Sequence, residues 1–317
     1  MKLREIEFGP VTGASGVQGW YGEGYRFHKW WGPFGPDFTG MTFVAKTTTL
    51  HERLGNTELT GPATGWRPKR LVPKSIKVYP FRGMVVNSVG LSGPGASALF
   101  ATHEWDKLDK PFMLSFMSVA ATREQRMDEL KGYCEILNDY LVLKQLAPVA
   151  LQINLSCPNV GLDLLKLTKE GVEALDIASQ LDIPLLLKLN TLFPATGLEE
   201  LEHPALDAIC ISNTLPWSTL YKTESPLAHL GGGGVSGAPI FKHVRQWVND
   251  ARASGCKLPF NVGGGIMSQR DVSALVLDGL DLNRDSIFLG SVAILRPWRV
   301  RGIIRYARGL AQDGVDA

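Results

Sequence analysis

The sequence has few cysteines, no long apolar run and almost no net charge, and each shortage excludes a class of protein. Its four cysteines lie far apart without a C-x-x-C pair, which argues against a disulfide framework and against a zinc or iron–sulfur centre. No apolar run approaches the ~20 residues that cross a bilayer, and residues 1–5 lead into the chain without the apolar stretch of a signal peptide. A formal charge of +2 gives no overall attraction to nucleic acid. We therefore expect a cytoplasmic protein that uses neither metal, membrane nor nucleic acid.

Short apolar runs typical of strands alternate with longer helical patterns, most clearly after residue 110. The predicted strands are 9–14, 41–47, 111–117, 148–155, 184–189, 206–212, 258–262 and 286–289, and the predicted helices are 122–146, 171–180, 239–253 and 269–278. Eight such strands favour an α/β fold of the (β/α)8 TIM-barrel type. An open doubly wound sheet is the alternative, but no G-x-G-x-x-G follows an early strand. We predict a single domain over residues 1–317, with extended rim loops at about 17–38 and 56–86.

Small, hydroxyl, amide or lysine residues stand at the carboxyl ends of almost all these strands. In a barrel these ends meet on one rim, where active sites are built. Turns favour such residues and would account for some of these strand ends. Because almost all of the strands end in this way, we predict a polar ligand site on the rim. They are Ala14, Ser15, Lys46, Thr47, Asn154, Lys188, Ser212, Asn213, Thr214, Gly264, Gly265, Gly290 and Ser291.

Three glycine-containing turns in the last third of the chain predict a phosphate site. Residues 231–237, 263–265 and 290–291 each precede a predicted helix. Each turn offers backbone N–H groups at a helix N-terminus, which suits a phosphate. A tight turn is the alternative for each one taken alone.

The sharpest motif is N-L-S-C-P-N at residues 154–159. Pro158 stiffens the turn that would present Cys157 and Asn159 on the rim beside Asn154. Amides flanking a thiol suit a planar substrate rich in C=O and N–H groups, and a thiolate can remove a proton from carbon. Alternatively, Cys157 is a small buried hydrophobic residue without a chemical role. This is our interpretation of the other three cysteines.

Two lysines, Lys46 and Lys188, end strands on the same rim. A lysine at a strand end is usually solvated, but two that converge could hold the electron-rich edge of a flavin.

Two segments lie outside the strand–helix repeat. Residues 17–38 are rich in aromatics, and residues 67–82 are basic without an acid. Aromatic and basic residues together can bind single-stranded nucleic acid. We prefer rim loops that pack their own aromatics over the barrel mouth, with a solvated basic face.

These residues resemble the dihydroorotate dehydrogenase family, in its soluble class 1 branch. Residues 154–159 resemble the family's cysteine motif, residues 46–56 its K-x-x-T-L-x-x-R-x-G-N segment, and residues 87–91 its substrate loop N-S-M-G-L. Further matches are Lys188-Leu189, residues 212–214, residues 264–271 and Gly290-Ser291, so the resemblance spans about residues 9–298. Departures are Gln269 for a glycine, Asn190-Thr191 where prolines are common, Val89 for the loop methionine, and longer segments before and after Lys46.

The resemblance implies FMN as cofactor and the oxidation of dihydroorotate to orotate in pyrimidine biosynthesis. Cys157 would remove the C5 proton while hydride passes from C6 to flavin N5. The substrate-binding residues it implies are Lys46, Asn87, Ser88, Gly90, Leu91, Asn154, Asn159, Asn213 and Thr214. The FMN-binding residues it implies are Ala14, Ser15, Lys46, Thr47, Asn154, Lys188, Ser212, Gly237, Gly264, Gly265, Gly290 and Ser291.

Other functions stay open at this point. An FMN-dependent reductase of another pyrimidine-like ring would use the same thiol and amides. A non-catalytic flavin- or nucleic-acid-binding module is disfavoured by Cys157 standing among the asparagines. Fumarate would suit a stand-alone enzyme, whereas NAD would require an electron-transfer partner subunit, and residues 90–95 slightly resemble the partner-requiring branch. Dimers are the commonest assembly, so we expect a homodimer.

Overall fold

Parallel strands curve into one sheet around a central axis. The computed structural model describes residues 1–144, 146–155 and 164–313. Its strands are β1 (Lys2–Leu3), β2 (Ile6–Glu7), β3 (Val11–Gly13), β4 (Ile76–Tyr79), β5 (Met84–Asn87), β6 (Phe112–Phe116), β7 (Val149–Asn154), β8 (Leu185–Leu189), β9 (Leu206–Ile211), β10 (Leu215–Pro216), β11 (Gly234–Gly237), β12 (Phe260–Gly263) and β13 (Ser286–Leu289). Its helices are α1 (Arg26–Trp30), α2 (Ala96–Phe100), α3 (Arg123–Leu143), α4 (Leu164–Ala178), α5 (Trp217–Leu220), α6 (Ala238–Ala253), α7 (Gln269–Leu277), α8 (Val292–Leu295) and α9 (Val300–Asp313).

The parallel sheet has the order β3-β13-β12-β9-β8-β7-β6, and residues 42–48 close it into a barrel. On one side Thr42 bridges Thr12 in parallel, and on the other Val44 bridges Met113. The Ala45 N–H donates to the Met113 carbonyl at 2.8 Å. Residues 42–48 therefore complete the eight-stranded barrel by lying between β3 and β6. Isolated bridges hold them there rather than a continuous ladder. The predicted (β/α)8 TIM-barrel fold is confirmed.

The N-terminal hairpin of β1 and β2 plugs the amino end of the barrel. Met1, Leu3 and Phe8 are at most 2% exposed, and they pack with inward-facing residues such as Met113 and Leu186. A larger cluster of buried residues joins the strands to the surrounding helices. Because both faces of the strands are covered, every residue of β6, β7 and β8 is buried. The described barrel opens at its carboxyl end, where a cavity lies.

A second sheet, antiparallel, stands on the rim and was not predicted from the sequence. Its order is β10-β11-β5-β4, with Gly234 opposite Asn87 and Gly237 opposite Met84. Half of this sheet comes from the segment predicted as a rim loop at 56–86, and the other half follows β9. The sheet carries Asn87 and Ser236 to the mouth of the barrel.

A buried ion pair ties helix α6 to the amino ends of β12 and β13. Asp285, fully buried, accepts from Arg252 Nη2 at 2.7 and 2.8 Å and from the Phe260 N–H at 2.9 Å. The Arg252 guanidinium also lies 3.7 Å from the centre of the Phe260 ring. These contacts lie at the end of the barrel opposite the rim, where residues serve stability.

In the described ranges, no helix is long and apolar enough to span a membrane.

Candidate active site

One cavity of about 1200 Å³ opens at the carboxyl ends of the barrel strands and collects most of the predicted site residues. The predicted residues that line it are Ala14, Ser15, Lys46, Thr47, Asn87, Ser88, Gly90, Leu91, Asn154, Lys188, Ser212, Asn213, Thr214, Gly264, Gly265, Gly290 and Ser291. The predicted Gly237 is not a lining residue; it is buried and packs against the Gly83 carbonyl. Cys157 and Asn159 lie outside the described residues.

Lys46 reaches the cavity from the carboxyl end of segment 42–48, which lies between β3 and β6. Its backbone N–H donates to the Gly19 carbonyl at 2.9 Å, and its Nζ donates to the Ser92 carbonyl at 2.7 Å. The ammonium also lies 4.2 Å from the centre of the Trp20 ring. Burial lowers the pKa of Lys46 to about 7, because water no longer solvates the charged form.

Lys188 is the corresponding cation at the end of β8. Its side chain is 7% exposed and its Nζ lies 5.7 Å from the centre of the Phe288 ring. Burial lowers the pKa of Lys188, while the nearby Cys210 thiol acts in the opposite direction. Cys210 and Cys134 are themselves buried, as predicted for small hydrophobic residues, whereas Cys256, for which the same was predicted, is only half-buried.

The amides of Asn154 and Asn213 meet between β7 and the end of β9. Asn213 Nδ2 donates to Asn154 Oδ1 at 3.3 Å, and Asn213 Oδ1 accepts from the Thr214 N–H at 2.9 Å. These bonds fix which amide edge each side chain presents. A planar ring with C=O and N–H groups could then be read by both amides at once.

The segment after Lys46 holds loop 87–92, which resembles the family's substrate loop, in place. Arg53 Nε donates to the Gly90 carbonyl at 2.8 Å and Asn56 Nδ2 to the Ser88 carbonyl at 2.8 Å. The Thr57 N–H donates to Ser92 Oγ at 3.0 Å. Sequence reasoning gave Arg53 and Asn56 no role, although both stand in the matched 46–56 segment. Polar residues at fixed spacing after a strand were the signal that could have identified them.

The glycine turns form a cradle that fits a phosphate. Gly264 and Gly265 both have φ of +99°, and a Cβ on Gly265 would lie 2.7 Å from the Gly237 carbonyl oxygen. Across the cradle, Ser291 Oγ donates to Ser236 Oγ at 2.9 Å. The backbone N–H groups of Gly264, Gly265 and Ser291 donate to no acceptor among the described residues. Unused donors beside small residues and the start of α6 suit an oxyanion.

Positive charge dominates the described part of the cavity wall. The cationic side chains that line it are Arg26, Lys46, Arg53, Arg67, Arg70 and Lys188, against the acids Glu23 and Glu224. The predicted solvated basic face is confirmed for Lys69, Lys74 and Lys77, which are exposed, but Arg67 is half-buried and faces the ligand space. Such a wall favours anionic ligands.

The longer segment 17–38 packs some of its aromatics and exposes others. Tyr25 and Phe27 stack with ring centres 5.5 Å apart, and both line the cavity. Trp30 and Phe34 are 72% and 67% exposed. The prediction that this loop packs its own aromatics over the barrel mouth therefore holds for its first half.

A TIM barrel with a cationic, amide-lined cavity and a phosphate cradle on its carboxyl rim defines a class of barrel enzymes that act on an anionic ligand. The profile of the dihydroorotate dehydrogenase family matches residues 8–279. The chain belongs to the dihydroorotate dehydrogenase family, whose members are oxidoreductases acting on CH–CH donors.

Curated relatives place the chain in the class 1 branch, which confirms the resemblance seen in the sequence. The catalytic subunit of dihydroorotate dehydrogenase B (NAD(+)) from Caldicellulosiruptor bescii is 27% identical over 302 residues, covering 91% of this chain and 85% of that protein. The same subunit from Caldicellulosiruptor saccharolyticus is 28% identical with the same coverage. The one from Listeria welshimeri is 26% identical, covering 86% of this chain and 81% of the relative.

Proposed function

We propose that this protein oxidises dihydroorotate to orotate with FMN bound in the rim cavity, as one domain over residues 1–317. The observation that carries the proposal is the convergence of Lys46, Asn87, Lys188 and Asn213 on one cavity in a chain of this family. The family is flavin-dependent in general, and the curated relatives bear the name of that activity.

The residues present fit FMN at both of its ends. The N–H groups of Gly264, Gly265 and Ser291 would hold its phosphate, since they are unused by the described chain. Lys46 and Lys188 would lie against the ring system, where a cation opposes the negative charge gained on reduction. Bound FMN would supply the acceptor for the hydride that leaves C6 of the substrate ring.

The asparagines would hold the substrate ring and its carboxylate. Asn213 and Asn154 already bond to each other, so little reorganisation is needed for them to present donors and acceptors together. Loop 87–92 would cover the ring from the second sheet, and Arg53 would keep the loop closed through Gly90.

Cys157 would be the base. As a thiolate it would take the C5 proton, and the electron pair left by the C5–H bond would form the C5=C6 bond of orotate, while the C6–H pair departs with the hydride. Its reference pKa of ~8.5 means that the reactive form increases with pH.

The name of the curated relatives also suggests which acceptor takes the electrons from the reduced flavin. They are catalytic subunits of an NAD(+) enzyme, so we propose an electron-transfer partner subunit and NAD as the final acceptor. A homodimer of this chain and a cytoplasmic location belong to the same proposal.

The test is an anaerobic titration of the purified protein. We expect a yellow protein with one FMN per chain, whose visible flavin absorbance bleaches when dihydroorotate is added. Bleaching by another dihydropyrimidine but not by dihydroorotate would favour the pyrimidine-ring reductase. A colourless protein that takes up no added FMN would refute the proposal.

A further inference from the structure

Lys46 is held at the cavity by two contacts of different kinds. Its Nζ donates to the Ser92 carbonyl at 2.7 Å, and the same atom lies 4.2 Å from the centre of the Trp20 ring. The first contact is with the main chain and persists in any sequence that keeps the fold. The second depends on one side chain, which belongs to the longer segment 17–38.

Trp20 is held through both its main chain and its ring. The residue is 2% exposed, its main-chain carbonyl accepts from Trp105 Nε1 at 2.9 Å, and its main-chain N–H donates to Glu23 Oε1 at 3.2 Å. A Cβ on Gly93 would lie 2.8 Å from Trp20 Cη2, so the end of the substrate-like loop packs on the indole edge. The ring therefore cannot turn away from Lys46 without moving this loop.

We propose that Trp20 is a positioning residue: its indole face holds the Lys46 ammonium at the cavity and favours its protonated form. What Lys46 faces there, a flavin and an anionic ring, rests on the function proposed above. A cation over an indole is attracted to the negative face of the ring, and the attraction strengthens when water is excluded.

Burial and the indole act on Lys46 in opposite directions. Loss of water lowers the pKa of Lys46 to about 7, so near neutral pH a small attraction changes the charged fraction. The titratable groups on the surrounding elements are otherwise engaged. Glu23 accepts from the backbone of the Trp20 turn, the Tyr25 hydroxyl donates to the Gly16 carbonyl, and Arg53 bonds to Gly90. Lys188, a like charge, ends β8, and Cys157 lies outside the described residues.

The first experiment measures Lys46 directly. The purified wild-type, Trp20→Leu and Trp20→Phe proteins are labelled with acetic anhydride between pH 5 and 10, and labelling of Lys46 is read by peptide mass spectrometry. We expect the Lys46 midpoint to fall by about half to one pH unit in Trp20→Leu, the loss of one cation–π contact, and to change little in Trp20→Phe. Phe100→Leu, which alters a neighbouring buried aromatic that touches Trp105, should leave the midpoint unchanged.

The direction of the shift decides between positioning and space-filling. If Trp20 only fills space, its removal admits water and the Lys46 midpoint rises. A rise, or no change in a folded Trp20→Leu protein, would overturn the inference. Should that variant not fold, Trp20→Met, which keeps apolar volume without an aromatic face, carries the test: a folded Trp20→Met protein whose Lys46 midpoint is unchanged or higher would overturn it as well.

The second experiment measures orotate affinity against pH through the flavin spectrum. We expect binding in the wild type to weaken as pH rises through the Lys46 midpoint, and Lys46→Met to remove this step. Trp20→Leu should move the step to lower pH and weaken orotate about 3- to 10-fold near pH 7.5. If the pH at which orotate affinity falls is the same in Trp20→Leu as in the wild type, the inference about Trp20 is contradicted and the proposed function is not. If the flavin spectrum never responds to orotate, the proposed function is contradicted, and the labelling experiment then decides on Trp20.

Discussion

Replacing Gly265 by alanine separates the geometry of the phosphate cradle from the general cost of altering a glycine. Gly265 has φ of +99°, and its new Cβ would lie 2.7 Å from both the Gly237 carbonyl oxygen and Phe241 Cβ. A left-handed backbone costs an L-residue about 1–2 kcal/mol. The contact with Gly237 adds to this, because a main-chain oxygen cannot rotate aside and the turn has to move.

The displaced turn should lose FMN. Moving the Gly265 N–H from a phosphate removes a hydrogen bond to a charged group, worth about 1.5–3 kcal/mol, which corresponds to a roughly 10- to 150-fold weaker FMN affinity. Quenching of FMN fluorescence on binding measures the dissociation constant. Urea unfolding of the FMN-free protein measures the change in the free energy of unfolding separately.

Gly255→Ala is the matched control. Gly255 has φ of +85° and no atom within 4 Å of the added Cβ, and it follows α6 away from the cavity. Its backbone cost is similar and is partly offset by about 0.4–1 kcal/mol from a less flexible unfolded chain, whereas FMN affinity should not change. Equal FMN affinity in the two variants would refute the assignment of the cradle.

Four further outcomes are expected. Cys157→Ala should keep its colour and slow flavin reduction by dihydroorotate roughly 10²–10⁴-fold; in the wild type the rate should rise with pH through the thiol pKa and then level off, and rapid mixing with an unchanged rate in the variant would remove Cys157 from the mechanism. Asn213→Ala should weaken substrate handling by about 1–3 kcal/mol at constant FMN content, read from kcat/KM. Arg53→Ala should raise KM for dihydroorotate with little effect on FMN, because Gly90 loses its restraint; equal KM values would exclude that role. Asp285→Asn should lower the free energy of unfolding by about 3–5 kcal/mol, since Arg252, with a side chain only 12% exposed, loses its charged partner, while normal FMN affinity in the refolded protein locates the effect away from the rim.

The sequence identified the barrel strands because each is a short apolar run set between helices. β6, β7, β8 and β13 lie inside their predicted ranges, since a strand buried on both faces needs apolar residues throughout. The same regularity predicts that the strand ends meet on one rim. Most of the candidate site followed from that placement.

The rim sheet had no comparable signal in the sequence. β11 is Gly-Val-Ser-Gly, which indicates a turn as readily as a strand, and its partner β5 lies about 150 residues earlier in the chain. Pairing between such distant segments is set by the barrel that brings them together. The opposite holds for residues 42–48. The sequence predicts a strand there, but the structure forms isolated bridges instead of a continuous strand ladder.

The sequence by itself determined the family, the barrel and the residue types available for chemistry, because these follow from local pattern and from motifs short enough to read. Only the tertiary structure decided which environments those residues share. It placed Trp20 over Lys46 and Arg53 on the Gly90 carbonyl. Burial, charge and the direction of a donor arise from contacts between segments far apart in sequence, so no single segment contains them.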